Sequence, residues 1–141
     1  MGNGKASTRK SGSKLKELAK IPSYQLPEKR YNGMIVKEIQ EEIYLSREVM
    51  ERVMGVKKSG YYSILGKPLL DPDQVDTLSN FARVWLKGLN TFEGDSDAFN
   101  EFMHAKNRNL GGILPISLIN SESGRRELSD AFDRIEYSIY G

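Results

Sequence analysis

From residue 75 to residue 89, apolar side chains recur three and four positions apart, as Val75, Leu78, Phe81, Ala82, Trp85, Leu86 and Leu89, with polar residues between them. That period is one face of an α-helix of about five turns. Asp71 caps its start, Pro72 takes the first helical position, and Asp73 favours the positive helix end. The pattern stops at Gly94. A second helix is expected over residues 96–105, carrying Ala98, Phe99, Phe102 and Met103. The last helix follows Ser121 or Ser123 as cap, with Leu128, Ala131, Phe132 and Ile135 on one face. Between these two, Gly111-Gly112 marks a backbone turn with positive φ, and Pro115 suits the first turn of a short helix reaching Ile119.

Earlier in the chain, Ile35, Ile39 and Ile43 lie four apart beside Val36, which predicts a helix over residues 34–44. Ser46 caps the next helix, whose stripe is Val49, Met50 and Val53, and Gly55 is a natural residue to end it. Residues 57–65 form a further short helix with Tyr61, Ile64 and Leu65. Short helix, glycine turn, short helix is the outline of a helix-turn-helix. Residues 1–14 hold Gly, Ser, Lys and Arg with little to bury and are expected to be disordered. Lys14 to Lys20 forms a short helix carrying Leu15, Leu18 and Ala19. Pro22 and Pro27 then make residues 21–32 an extended linker. No segment alternates long enough to claim a strand, so the expected class is all-α. The expected organisation is a basic arm and linker over residues 1–30, a helix-turn-helix domain over 31–66 and a second helical domain over 67–141.

Charge separates these parts. Residues 1–30 hold eight Lys/Arg against two Glu, residues 31–66 five of each sign, and residues 67–141 eight against twelve. The local balances of +6, 0 and −4 suggest different partners at the two ends. The arm has two readings, a salt-dependent contact with phosphates and a solubilising tail. There is no cysteine, so disulfides and thiolate metal sites are absent, which fits a reducing cytoplasm. No apolar run approaches the roughly 20 residues that span a bilayer, so no membrane partner is expected.

Catalytic signals are poor. The single histidine, His104, sits at a helix end, where a dipole contact explains it. Gly60, Gly66 and Lys67 are misspaced for a phosphate loop, and Pro68 replaces its hydroxyl residue. Asp71, Asp73 and Asp76 lie across a helix start, where capping explains them better than a metal. The expectation is a non-enzyme without cofactor or metal. In the helix-turn-helix reading, Lys57 and Lys58 reach phosphate or guanine, while Ser59 and Tyr61 or Tyr62 donate to phosphates. The alternative is that this shape serves dimerisation alone.

The order of the parts is informative. A helix ending in Phe102-Met103 precedes Asn107, then Asn109-Leu110-Gly111-Gly112, then Pro115 with an apolar turn. Ser123-Gly124-Arg125 comes next, and the chain closes on Arg134-Ile135-Glu136-Tyr137-Ser138-Ile139-Tyr140-Gly141. This resembles the toxin-binding domain of the Xre/MbcA/ParS antitoxin family, closely over residues 68–141 and more loosely over 34–66, where the family carries its helix-turn-helix. The resemblance implies a partner: a RES-domain, NAD-consuming toxin encoded by the adjacent gene. It also implies repression of the chain's own promoter through operator DNA, and a homodimer. The toxin-binding residues it implies are Asn107, Leu110, Gly111, Gly112 and Pro115 on the loop. At the end of the chain they are Arg134, Glu136, Tyr137, Ile139, Tyr140 and Gly141. The spacing adds that Tyr137 and Tyr140 fall off the core stripe and would serve as interface anchors. The competing reading is a stand-alone dimeric helix-turn-helix regulator without a toxin.

Overall fold

The computed structural model describes the backbone of residues 13–140 and the side chains of residues 13–138. Seven α-helices are present among them: α1 (Lys14–Ala19), α2 (Met34–Glu42), α3 (Arg47–Met54), α4 (Lys58–Leu65), α5 (Pro72–Thr91), α6 (Ser96–Met103) and α7 (Glu122–Tyr140). Three 3-10 segments join them, at Ser23–Glu28, Arg108–Leu110 and Pro115–Asn120. The described residues contain no strand, only an isolated antiparallel bridge between Asn107 and Ile113. The expected all-α class is therefore what forms. None of the described helices is long and apolar enough to cross a membrane.

α5 is the spine, and α1, α3, α6, α7 and the Ser23–Glu28 segment all pack against it. It starts where the caps place it: the Gln74 side chain accepts from the Asp71 N–H at 2.8 Å, with Pro72 as the first helical residue. It ends at Thr91, slightly before the expected Gly94, because Glu93 and Gly94 both adopt positive φ. Its buried face carries Val75, Leu78, Phe81, Ala82, Val84 and Trp85. Gly88 continues that face. A Cβ there would lie 2.4 Å from Phe99 and 2.8 Å from Phe132, so only glycine lets α6 and α7 approach so closely. The aromatic rings form a connected set, with Trp85 edge-on to Phe99 at 4.9 Å and Phe132 at 5.9 Å from Phe99 and 5.8 Å from Phe102.

The N-terminal region corrects the sequence reading. The disorder expected over residues 1–14 lies outside the described residues except at Ser13 and Lys14, which cap and open α1. Residues 21–32 are not an extended linker. Ser23–Glu28 forms a 3-10 segment with Pro27 inside it, and Ile21 and Leu26 are buried in the core together with Leu15 and Leu18 of α1. Proline is tolerated because a short 3-10 turn asks for few backbone donors. The segment is fastened by polar contacts. The Ser79 hydroxyl donates to the Leu18 carbonyl at 3.0 Å, and the Leu15 N–H donates to Glu42 at 3.2 Å. Tyr31 donates to Glu17 at 2.9 Å, and its partial burial, reinforced by that carboxylate, pushes the phenol up to about 12.

α2, α3 and α4 follow as expected. The Ser46 hydroxyl accepts from the Val49 N–H at 3.2 Å, and Gly55 ends α3 with φ of 70°. α4 packs on α2 and α3, while α3 also touches α5 and the Pro115–Asn120 segment. One core cluster runs through all seven helices.

Candidate functional site

The loop after α6 is built by asparagine and glycine. The Asn107 side chain accepts from the Asn109 N–H at 2.9 Å, and its backbone carbonyl accepts from the Gly112 N–H at 2.8 Å. Asn107 N–H in turn donates to the Ile113 carbonyl at 3.0 Å, closing the loop as a small clasp. The closure needs two consecutive left-handed residues, Gly111 at φ 76° and Gly112 at φ 81°, which a side chain would disfavour. His104 sits at the end of α6, its Nδ1 3.0 Å from the Asn100 carbonyl. Pro115 is buried beneath the loop, whereas Ile113 and Leu114 remain exposed beside it.

α7 starts from Ser121, whose hydroxyl accepts from the Gly124 N–H at 3.0 Å. A Cβ on Gly124 would stand 2.2 Å from the Leu118 carbonyl oxygen, so glycine lets the helix begin directly against the preceding turn. Leu128 and Phe132 are fully buried, and Ala131 and Ile135 border the core. Between the loop and this helix lies an open groove of about 430 Å³. Phe102, Ala131 and Ile135 give it apolar walls, and Asn107, Asn109, Leu110, Arg134 and Ser138 give it a mixed rim.

The structure thus brings together Asn107, Leu110 and Arg134 among the residues expected to bind a partner. Gly111 and Gly112 shape the loop without lining the groove, and Pro115 is buried at the start of the Pro115–Asn120 segment and does not line it either. Glu136 and Tyr137 are exposed on α7 outside the groove, Tyr137 at 77%. The side chains of Ile139 and Tyr140, and Gly141 altogether, lie outside the described residues. Ala131 and Ile135 were legible as a helical stripe, and Ser138 only as part of the closing segment; their share in a groove depends on the loop folding back.

The second candidate surface is the leading turn of α4. Lys57 is its cap residue, and Lys57, Lys58 and Ser59 are all exposed. Tyr62 is half exposed, with the Arg47 guanidinium 5.9 Å above its ring and donating to its hydroxyl at 3.5 Å. Arg47 also pairs with Glu51 at 2.8 Å, which raises its already high pKa further. Tyr61 corrects the reading. It is 2% exposed, and its hydroxyl donates to Gln40, so its ring belongs to the core and burial raises its phenol. Gly60 has a packing role: a Cβ there would meet Val56 at 2.9 Å. Among the described residues, no group of three or more His, Asp or Glu could hold a metal.

The last long helix therefore carries an open groove on one side and an exposed aromatic, Tyr137, beyond it. Residues 87–137 match the family model described as the antitoxin Xre/MbcA/ParS C-terminal toxin-binding domain. Over 106 residues the chain is 28% identical to the protein named Antitoxin Xre of Photorhabdus laumondii subsp. laumondii, spanning 74% of this chain and 72% of that protein. No solved structure matches. The C-terminal part of the chain is thus similar to the toxin-binding domain of the Xre/MbcA/ParS antitoxins.

Proposed function

We propose that the chain neutralises a RES-domain, NAD-consuming toxin encoded by the adjacent gene, and represses its own operon by binding DNA as a homodimer. The observation that carries the toxin reading is the overlap of two findings. All of the groove's lining but Ser138, and most of α7, fall inside the residues that match a toxin-binding domain, and Tyr137 is an exposed aromatic at their end. Tyrosine suits an interface anchor because it buries a large ring while its hydroxyl finds a partner. The chain's own role is to occupy and block, and no chemistry is asked of it. Co-expression with the tagged product of the adjacent gene tests the reading. A stable complex with loss of toxicity is expected. A chain that elutes alone beside an active toxin would leave the stand-alone regulator.

Exposure of Lys57, Lys58 and Ser59 at the start of α4 favours the DNA part. Neutralising phosphates releases counterions, so affinity falls with salt. Replacing both lysines by alanine is expected to weaken binding to all sequences alike and to flatten the salt slope by up to about 2 units. Titrations of the operator fragment from low to moderate salt read this directly. An unchanged slope removes the two lysines from the interface.

A further inference from the structure

A second cleft, of about 360 Å³, flanks α7 on the side away from the groove, between its first turns and α5. Asn80, Arg83, Lys87, Arg125, Arg126 and Ser129 line it. Four of these are cations. Two carboxylates answer them: Glu122, which itself lines the cleft and lies 4.0 Å from Arg126, and Asp133, 2.8 Å from Lys87. Four positive against two negative charges leaves +2. Among the described residues, Arg83 and Arg125 have no carboxylate within 4.0 Å.

Arg125 is the unusual member. It is only 4% exposed, yet its guanidinium is held by neutral acceptors, Nε donating to Asn80 Oδ1 at 2.6 Å and Nη1 to the Ile119 carbonyl at 2.8 Å. Burial pulls its pKa below the usual arginine value, and Glu122 opposes this at a distance. An arginine stays charged even so, and a buried charge without a counter-charge is unfavourable. Arg83 is held in the same way, by the Ser79 hydroxyl at 2.8 Å and more weakly by the Ile21 carbonyl at 3.5 Å. Both guanidiniums are therefore fixed in place by groups that leave their charge unanswered.

We propose that this cleft binds a phosphate group. Two uncompensated charges match a phosphate dianion. The cations stand on two walls, Arg83 and Lys87 on α5 and Arg125 and Arg126 on α7, which suits a tetrahedral ion. A carboxylate is met in one plane by a single arginine. The Ser129 hydroxyl and the Asn80 amide add neutral hydrogen-bonding groups beside the cations. The phosphate is either the free ion or an ester on a small molecule, and the same experiment separates the two.

The test titrates the full chain with inorganic phosphate, adenosine 5′-monophosphate, acetate and sodium chloride at matched ionic strength. The thermal midpoint and backbone amide shifts are followed. Phosphate and the nucleotide are expected to raise the midpoint and to shift amides around Asn80 and Ser129, whereas acetate and chloride do neither. Tighter binding of the nucleotide assigns the group to an ester, and equal binding to the free ion. A Lys87→Gln, Arg126→Gln variant is expected to bind phosphate about tenfold more weakly, since two charge-assisted bonds are lost. Both side chains reach solvent, and an unchanged midpoint in chloride shows that the variant is folded. Arg125→Lys is the second variant, keeping charge while losing the fixed fork. An equal rise with chloride or in the double variant overturns the proposal, as does an equal response to acetate. So does loss of toxin binding in the variant without any phosphate effect, which would give the cleft to a carboxylate of the partner.

Discussion

Phe132→Ala is expected to destabilise the fold by about 3–5 kcal/mol, the range for removing a fully buried aromatic ring. Phe132 has no exposed surface and meets Phe99, Phe102 and the bare backbone of Gly88 at one point, where α5, α6 and α7 converge. Closing the resulting cavity would need three helices to move together, so little relaxation is available. Urea unfolding followed by far-ultraviolet dichroism measures the loss, and the thermal midpoint is expected to drop by on the order of 10 °C. A loss below about 1 kcal/mol would mean that the helices collapse into the space after all.

Truncation after Glu136 is expected to spare folding and abolish tight inhibition. Tyr137 and Ser138 are exposed on the last turns of α7, and the buried positions of that helix end with Phe132 and the half-buried Ile135. Their removal takes little from the core. If Tyr137 and the residues after it are the anchors for the toxin, their loss weakens binding by about 2–4 kcal/mol, or roughly 30- to 1,000-fold. Calorimetric titration of the toxin with the truncated chain reads the affinity, and dichroism reads the fold. Unfolding of the truncated chain would place the tail in its own core. Undiminished inhibition would move the interface to the loop from Asn107 to Pro115.

Much of the fold was legible because local signals agreed. The long stripe of α5 came with Asp71, Pro72 and Asp73 at its head, Gly55 stood at the end of α3, and adjacent glycines marked a turn that does adopt two positive φ angles. Residues 21–32 were misread because Pro22 and Pro27 speak against an α-helix and say nothing of burial. Ile21 and Leu26 are held by α5, far along the chain, and no short-range period reveals that. Tyr61 and Tyr62 look alike in composition. Their phase separates them, since Tyr61 stands three residues before the buried Ile64 and Tyr62 does not. The groove needed the Asn107–Ile113 clasp to turn the loop back on α7, and the basic cleft needed Arg125 to be drawn inside by Asn80, forty-five residues earlier.

The Pro115–Asn120 segment packs against α3 as well as α7. The helix pair proposed to meet DNA and the helix proposed to meet a toxin therefore lean on the same short turn, and neither owns a private core. A ligand that holds α7 closed raises the work needed to open that turn, and with it the work needed to detach α3. Melting of that turn would therefore loosen both surfaces together, with no hinge required between them.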